Sequence, residues 1–188
     1  MFPITINGNT LDKSKVEPLK TKYILVQCRT RLRPSDRQEL GNTGVKHLNY
    51  VSKNTYLCQY QDGDLEKIRQ LEPVVYVDFY HKIFKITPSL KKAIQDEATR
   101  SKAFEVDIVF HESVDTNSQG LQKDIKDASR CRVGDKFLPD KVRLTVQGLY
   151  LQAVASIDDV RHIEEVGEDV ELNDVAREIL IYTRDMGK

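Results

Sequence analysis

The fold is decided by residues 56–78, YLCQYQDGDLEKIRQLEPVVYVD, because their pattern returns 86 positions later in residues 142–164, VRLTVQGLYLQAVASIDDVRHIE. Both stretches begin with alternating apolar side chains, which indicate a strand with one buried face. Both continue with apolar residues spaced three apart, which indicate a helix that buries one side. Both end in an acidic turn and a further strand. A repeat of this kind predicts one supersecondary unit used twice.

The repeat extends upstream to a strand and a helix in each unit. Residues 24–28 match residues 106–110 at a shift of 82, so the second unit has a longer segment before its central strands. The first unit's helix is expected to open at Pro34 and to close by Gly44. The corresponding helix of the second unit is expected to be capped by Ser118. Its apolar stripe comprises Leu121, Ile125 and Ala128.

Each unit therefore reads strand, helix, strand, strand, helix, strand, with turns at residues 52–54 and 138–140 between the central strands. This is the ferredoxin-like order. We predict an α+β chain of two tandem ferredoxin-like βαββαβ units, each an antiparallel four-stranded sheet with two helices on one face. The expected organisation is an N-terminal arm (1–21), a first unit (22–87), a connecting helix or linker (88–102), a second unit (103–172) and a C-terminal tail (173–188).

Charge and hydropathy exclude several classes of partner. Lys plus Arg and Asp plus Glu both number 29, so no net field attracts nucleic acid. The basic cluster that includes Arg29 and Arg33 lacks the aromatic strand motif of ferredoxin-like RNA readers, so we expect no nucleic-acid partner. No apolar run is long enough to cross a bilayer, so we expect no membrane partner. The N-terminus lacks a signal peptide, which implies a cytoplasmic chain if it is complete and a secreted or vacuolar one if a signal was trimmed.

The sequence offers no constellation of catalytic or metal-binding residues. Its four histidines are scattered, and no nucleophile elbow, phosphate-cradling glycine loop or zinc-binding helix motif occurs. The three cysteines, Cys28, Cys58 and Cys131, are too widely spaced for a metal knuckle and are expected to be reduced and mostly buried. We therefore expect no catalytic residue, no metal and no cofactor, and a chain that is not an enzyme.

Several stretches resemble one protein family. Asn7-Gly8-Asn9-Thr10-Leu11-Asp12 followed by residues 23–27 looks like the opening of a double N-terminal prodomain of subtilisin-type serine proteases. Residues 44–57 and 65–85 are similar to the later elements of its first unit. Residues 160–165 and 172–177 are similar to the segment that leads into the protease domain, which is itself absent from this chain.

The resemblance implies an intramolecular chaperone and inhibitor whose partner is a subtilisin-type serine protease domain, in cis or in trans. It implies binding through the sheet surface and through the C-terminal tail in the substrate cleft. The expected pocket-filling residues of the tail are Leu180, Tyr182 and Met186. Glu164 and Glu165 are expected to meet helix N-termini of the protease.

Three alternatives stay open. Val175, Ile179 and Tyr182 also have helical spacing, so the tail is equally compatible with a terminal helix that begins at Asp174. The chain is also compatible with a free-standing protease inhibitor or interaction module of the same fold. A small-ligand module with a site between the two units is the third alternative, although no glycine-rich turn supports it.

Overall fold

The first unit contains a four-stranded antiparallel sheet. The computed structural model describes residues 3–12, 21–131 and 137–167. Its strands, numbered in chain order after the two strands of an N-terminal hairpin, are β3 (Tyr23–Cys28), β4 (Lys46–Ser52), β5 (Thr55–Gln59) and β6 (Val74–Phe79). They lie in the order β4-β5-β3-β6. Lys53 and Asn54 form the two-residue turn between β4 and β5, with φ of 43° and 59°. Positive φ at both positions gives the turn the twist that a tight hairpin requires, and the predicted turn is confirmed.

Two helices cover one face of this sheet, as predicted for an α+β unit. They are α1 (Pro34–Asn42) and α2 (Glu66–Arg69). Helix α1 begins at Pro34, and the Asp36 carboxylate accepts a hydrogen bond of 2.8 Å from the backbone N–H of Arg33. Leu40 of α1 and Ile68 of α2 are fully buried against the inner face of the sheet.

The second unit contains a sheet of three strands among the described residues: β7 (Ala103–Phe110), β8 (Lys141–Gln147) and β9 (Val160–Glu165), in the order β8-β7-β9. The prediction was a four-stranded sheet. Phe137 forms an isolated antiparallel bridge with Val142 across a turn at residues 138–141, where the fourth strand was expected. Residues 132–136 lie outside the described residues, so only this bridge represents that strand.

Helices α4 (Gln119–Ser129) and α5 (Gly148–Ala155) cover the inner face of the second sheet. The predicted stripe of α4 is largely confirmed, since Leu121 and Ile125 are buried in the second core and Ala128 packs against it. Ser118 is the N-cap residue, but its side chain makes no capping hydrogen bond, so the capping prediction is wrong in its chemistry. The backbone carbonyl of Ser118 instead accepts a bond from Gln122.

The two units share the same strand register. Residues of β3 map onto β7 at a shift of 82, and those of β5 and β6 map onto β8 and β9 at a shift of 86. Leu25 lies opposite Leu57 and Asp78, and its equivalent Asp107 lies opposite their equivalents Arg143 and Glu164. The register irregularity that follows Gln27 in β3 recurs after Val109 in β7. The repeat therefore extends to backbone pairing.

The predicted N-terminal arm contains a small hairpin that packs on the first unit. Its strands are β1 (Thr5–Ile6) and β2 (Asn9–Thr10), which turn at Asn7 and Gly8 with φ of 50° and 74°. Ile4 and Ile6 are buried against the face of the first sheet that lies opposite the helices. The Asn7 amide donates to the carbonyl of Phe84 at 2.9 Å, and the Asn9 amide donates to that of Ile86 at 3.0 Å.

The segment between the units belongs to the second core. A 3-10 turn at Lys82–Phe84 leads to Ile86, which forms a parallel bridge with Ile163 of β9. Helix α3 (Pro88–Gln95) follows, within the stretch where a connecting helix was expected. Its Leu90 is fully buried in the second core, so this connection ties the two units together.

Candidate protein-binding surface

The two sheets differ in their outer faces, by which we mean the faces opposite the helices. The outer face of the first sheet is apolar, with Leu25 and Leu57 exposed by 0% and 3%. It is covered by Ile4 and Ile6 of the N-terminal hairpin and by Phe84. Because the chain itself buries this face, it offers little contact area to another protein.

The outer face of the second sheet carries charge instead. Its centre is Asp107, whose carboxylate accepts hydrogen bonds from the Arg143 guanidinium at 2.7 and 2.9 Å and from the Lys141 ammonium at 2.7 Å. These hydrogen bonds stabilise the ionised carboxylate and lower the pKa of Asp107 to about 2. Asp107 is only 4% exposed, whereas half of the Arg143 side chain is exposed. On the β8 side, this face therefore presents cationic groups that are held in place by a buried carboxylate.

The neighbouring row of this outer face mixes apolar and titratable groups. Val109 lies between Lys141 of β8 and His162 of β9. His162 Nε2 is 3.5 Å from the Glu164 carboxylate, while burial lowers the pKa of His162. The Nδ1 atom of His162 is buried and has no hydrogen-bond partner among the described residues. Partly buried apolar and polar groups side by side are common in protein interfaces.

The two acidic candidates lie at the end of β9. Strand alternation places Glu164 on the outer face, opposite Asp107, and turns Glu165 toward the helical side of the sheet. Both are exposed, but they do not share a face. The tail candidates Leu180, Tyr182 and Met186 lie outside the described residues, so their role stays a prediction.

The orientation of this face is fixed by a polar and aromatic joint between the units. The Tyr23 ring stacks on the His111 imidazole with centroids 3.4 Å apart, and the Tyr80 hydroxyl donates to the carbonyl of Arg161 at 3.0 Å. Burial, reinforced by the nearby cations Lys85, Arg161 and Lys22 and by His162, lowers the pKa of His111 to about 2. His111 is therefore neutral in the folded chain at physiological pH.

Lys85 is the second element of the joint. Its ammonium donates to the carbonyl of Ile157 at 2.8 Å and lies 3.4 Å from that of Asp158, where the last turn after α5 leaves carbonyls without helical partners. Burial lowers the pKa of Lys85 to about 8. Lys22 adds an ion pair of 2.6 Å to Asp159. These contacts connect the residues just before β3 and just after β6 to the turn that precedes β9.

Other kinds of site find little support in the part of the chain that the structure describes. No group of three or more His, Cys, Asp or Glu residues is placed to hold a metal there. Cys28 and Cys58 are buried free thiols, and burial raises the pKa of Cys28 to about 11, so both are inert. An open groove of about 260 Å³ beside Lys46 and Asp62 is lined mainly by polar side chains. No described helix has the length and apolarity of a membrane span.

Sequence reasoning missed the contrast between the two outer faces, although the repeat contained it. Aligning the units at their shifts replaces Leu25 by Asp107 and Leu57 by Arg143. Each exchange puts a charge where the first unit has a buried leucine. Comparing the equivalent positions would have identified the second face as the one exposed to water.

Fold and surface together define an α+β chain of antiparallel sheets, of which the second has an exposed, charged outer face. A family model described as a domain of unknown function (DUF8729) matches residues 3–81. That stretch contains the N-terminal hairpin and the first sheet through β6, and it includes Tyr23 and Tyr80, which contact the second unit. No curated protein and no solved structure matches the chain.

Proposed function

We propose that this chain is a pair of ferredoxin-like units that acts as a prodomain of a subtilisin-type serine protease, as chaperone and inhibitor, and has no catalytic activity of its own. The strand order β4-β5-β3-β6 supports the ferredoxin-like assignment of the first unit. The identical register of β7, β8 and β9 supports the same assignment for the second. The resemblance of residues 44–57 and 65–85 to subtilase prodomains supports the partner.

The observation that carries the proposal is the difference in coverage between the two outer faces. The hairpin that contains Ile6 covers the first face, whereas the second presents Lys141, Arg143 and Thr145 to water. In prodomains of this family the sheet lies against surface helices of the protease. The second unit is therefore the one that docks, and the first unit holds it in position through the Tyr23–His111 joint.

The test is titration of the full chain into a panel of subtilisin-type proteases, with residual activity as the readout. We expect inhibition of at least one protease by the wild-type chain. Thr145→Arg places a long cation on the docking face and should weaken that inhibition about tenfold or more, which corresponds to about 1.4 kcal/mol. Lys123→Glu on the exposed side of α4 is the matched control and should leave inhibition unchanged.

The outcomes separate the function from the surface. If no protease is affected in activity or in refolding, the prodomain assignment fails. If Thr145→Arg and Lys123→Glu both inhibit like the wild type while retaining its melting temperature, the docking face is wrong although the function stands. Recovery of a denatured protease domain in the presence of the chain distinguishes a prodomain from the alternative, a free-standing inhibitor, which has no need to template folding.

The tail contribution is tested by removing residues 183–188. If the tail occupies the substrate cleft as an added strand, this truncation should weaken inhibition strongly and leave docking of the sheet face intact. Unchanged inhibition would exclude the tail mechanism. A double truncation and Thr145→Arg variant would show whether tail and sheet act on the same protease.

A further inference from the structure

The two units meet end to end, so each has one end inside the joint and one outside it. We call the end at which the first strand begins and the fourth strand finishes the lower end, and the opposite end the upper end. In the joint, the lower end of the first unit contributes Tyr23 and Tyr80, and the upper end of the second contributes His111 and Arg161. The upper end of the first unit and the lower end of the second remain outside the joint.

Equivalent backbone hydrogen bonds build the corresponding ends. At the upper ends, the N–H of Arg29 donates to the carbonyl of Pro73 at 3.0 Å, and that of His111 donates to Asp159 at 3.2 Å. The lower ends also correspond. There the N–H of Tyr80 donates to Tyr23 at 2.9 Å, and the N–H of Val166 donates to Glu105 at 2.9 Å. Arg29 thus occupies the place of His111, and Glu105 occupies the place of Tyr23.

The charges at these places are complementary. Inside the joint, the Tyr23 ring lies on His111, and the Tyr23 hydroxyl is 3.3 Å from the Ser113 hydroxyl. At the ends outside the joint, the same shift replaces His111 and Ser113 by Arg29 and Arg31 and replaces Tyr23 by Glu105. All three replacements are exposed. A lower end of the second unit placed on an upper end of the first therefore brings one carboxylate between two guanidinium groups.

The surrounding charges favour the same pairing. The upper end of the first unit also carries Arg33, which is paired with Asp36, together with Lys53 and Glu72. The lower end of the second unit carries Glu164 and Glu165 besides Glu105. Among the described residues, the cations at this end are Lys102 and Arg100, the latter 3.9 Å from the Glu97 carboxylate. Long-range attraction between the two ends therefore adds to the direct contact.

We propose that a second copy of this chain binds through these two ends, with Glu105 of one molecule between Arg29 and Arg31 of the next. The contact repeats the geometry of the joint with charges in place of the aromatic stack. It uses a different surface on each partner, so it is heterologous and extends into a ring or an open row of molecules. Because exposed ion pairs are individually weak and the partners are not tethered, the association requires high protein concentration and low ionic strength.

The experiment is sedimentation velocity of the full chain over a series of concentrations, at low salt and at about 1 M salt, where the Debye length falls to about 3 Å. The weight-average mass should rise with concentration at low salt and return to that of the monomer at high salt. The double variant Arg29→Glu/Arg31→Glu and the single variant Glu105→Lys should each weaken self-association about tenfold or more. Lys123→Glu is the control and should associate like the wild type.

Mixing the two reversed variants provides the decisive result. The double variant has an acidic upper end, whereas Glu105→Lys removes the central carboxylate of the lower end and adds a cation. These two altered ends are complementary, so an equimolar mixture should regain the association that neither variant has alone. A monomeric wild type at every concentration would overturn the proposal. So would reversed variants that associate like the wild type, or a mixture of folded variants, checked by circular dichroism, that stays monomeric.

Discussion

Replacing His111 by Phe should make the chain less sensitive to mild acid. In the folded state burial lowers the pKa of His111 to about 2, whereas in the unfolded chain a histidine titrates near its ordinary value of about 6.5. Below that value the unfolded state binds a proton that the folded state does not bind. The stability is therefore complete above about pH 6.5 and is lost progressively as the pH falls toward 2.

The size of the effect follows from the two pKa values. pH 5 lies about 1.5 units below the pKa of His111 in the unfolded state, and each unit lowers the free energy of unfolding by about 1.36 kcal/mol. The wild type should therefore lose about 2 kcal/mol of unfolding free energy between pH 7.5 and pH 5. His111→Phe keeps an aromatic ring against Tyr23 and removes the titration. The difference in unfolding free energy between wild type and variant should thus change by about 2 kcal/mol between these pH values.

Urea unfolding at pH 7.5 and pH 5, followed by circular dichroism, measures this difference directly. Carboxylates that titrate over the same interval affect wild type and variant alike and cancel. His47→Asn is the matched control, since His47 is exposed on β4 and Asn tolerates its φ of 50°. Parallel pH dependence of wild type and His111→Phe would refute the reasoning, because the joint would then not keep His111 neutral.

Three further predictions concern stability. Lys85→Met should remove a buried ammonium whose pKa burial lowers to about 8. In urea unfolding, the wild type should therefore gain about 1 kcal/mol of unfolding free energy relative to the variant between pH 7 and pH 9. A difference that does not vary with pH would contradict this. Ile6→Asp places a charge in the contact between hairpin and sheet and should lower the free energy of unfolding by about 2–4 kcal/mol. Thr5→Asp, on the exposed side of the hairpin, should lower it by less than about 0.5 kcal/mol. Equal melting temperatures of the two variants would disprove the packing. Gly148→Ala would bring a Cβ to 2.9 Å from the carbonyl oxygen of Arg100 and should destabilise the chain by about 1–3 kcal/mol, while Gly120→Ala in α4, with its nearest neighbour at 3.7 Å, should not lower the melting temperature.

Local patterns were sufficient to predict most strands and helices. The turn at Lys53 and Asn54, the Pro34 start of α1 and the stripe of α4 are set by residues close in sequence, so the sequence signal and the structure agree. The expected strand at residues 74–78 and its counterpart 86 positions later both occur, as β6 and β9. Alternating apolar residues show that a strand has a buried face, and sequence periodicity can predict this much.

Periodicity does not identify what covers a face. Ile4 and Ile6 form a short apolar pair whose partners lie far along the chain, so nothing local marks them as the cover of the first sheet. The stacking of Tyr23 on His111 is likewise a contact between residues that share no pattern. The charged outer face around Asp107 was visible only by comparing equivalent positions of the two units, because an isolated charged residue in a strand usually indicates no more than exposure to water.

The N-terminal hairpin also has a consequence for the order in which the chain folds. Its amides bond to the carbonyls of Phe84 and Ile86, each 77 residues away in sequence. Loop closure over such a separation is slow compared with the formation of local helices and hairpins. Until residues 84–86 are available, the apolar side of the first sheet around Leu25 is uncovered and prone to association. The hairpin therefore protects the finished unit, while the growing chain depends on rapid completion of the connecting segment.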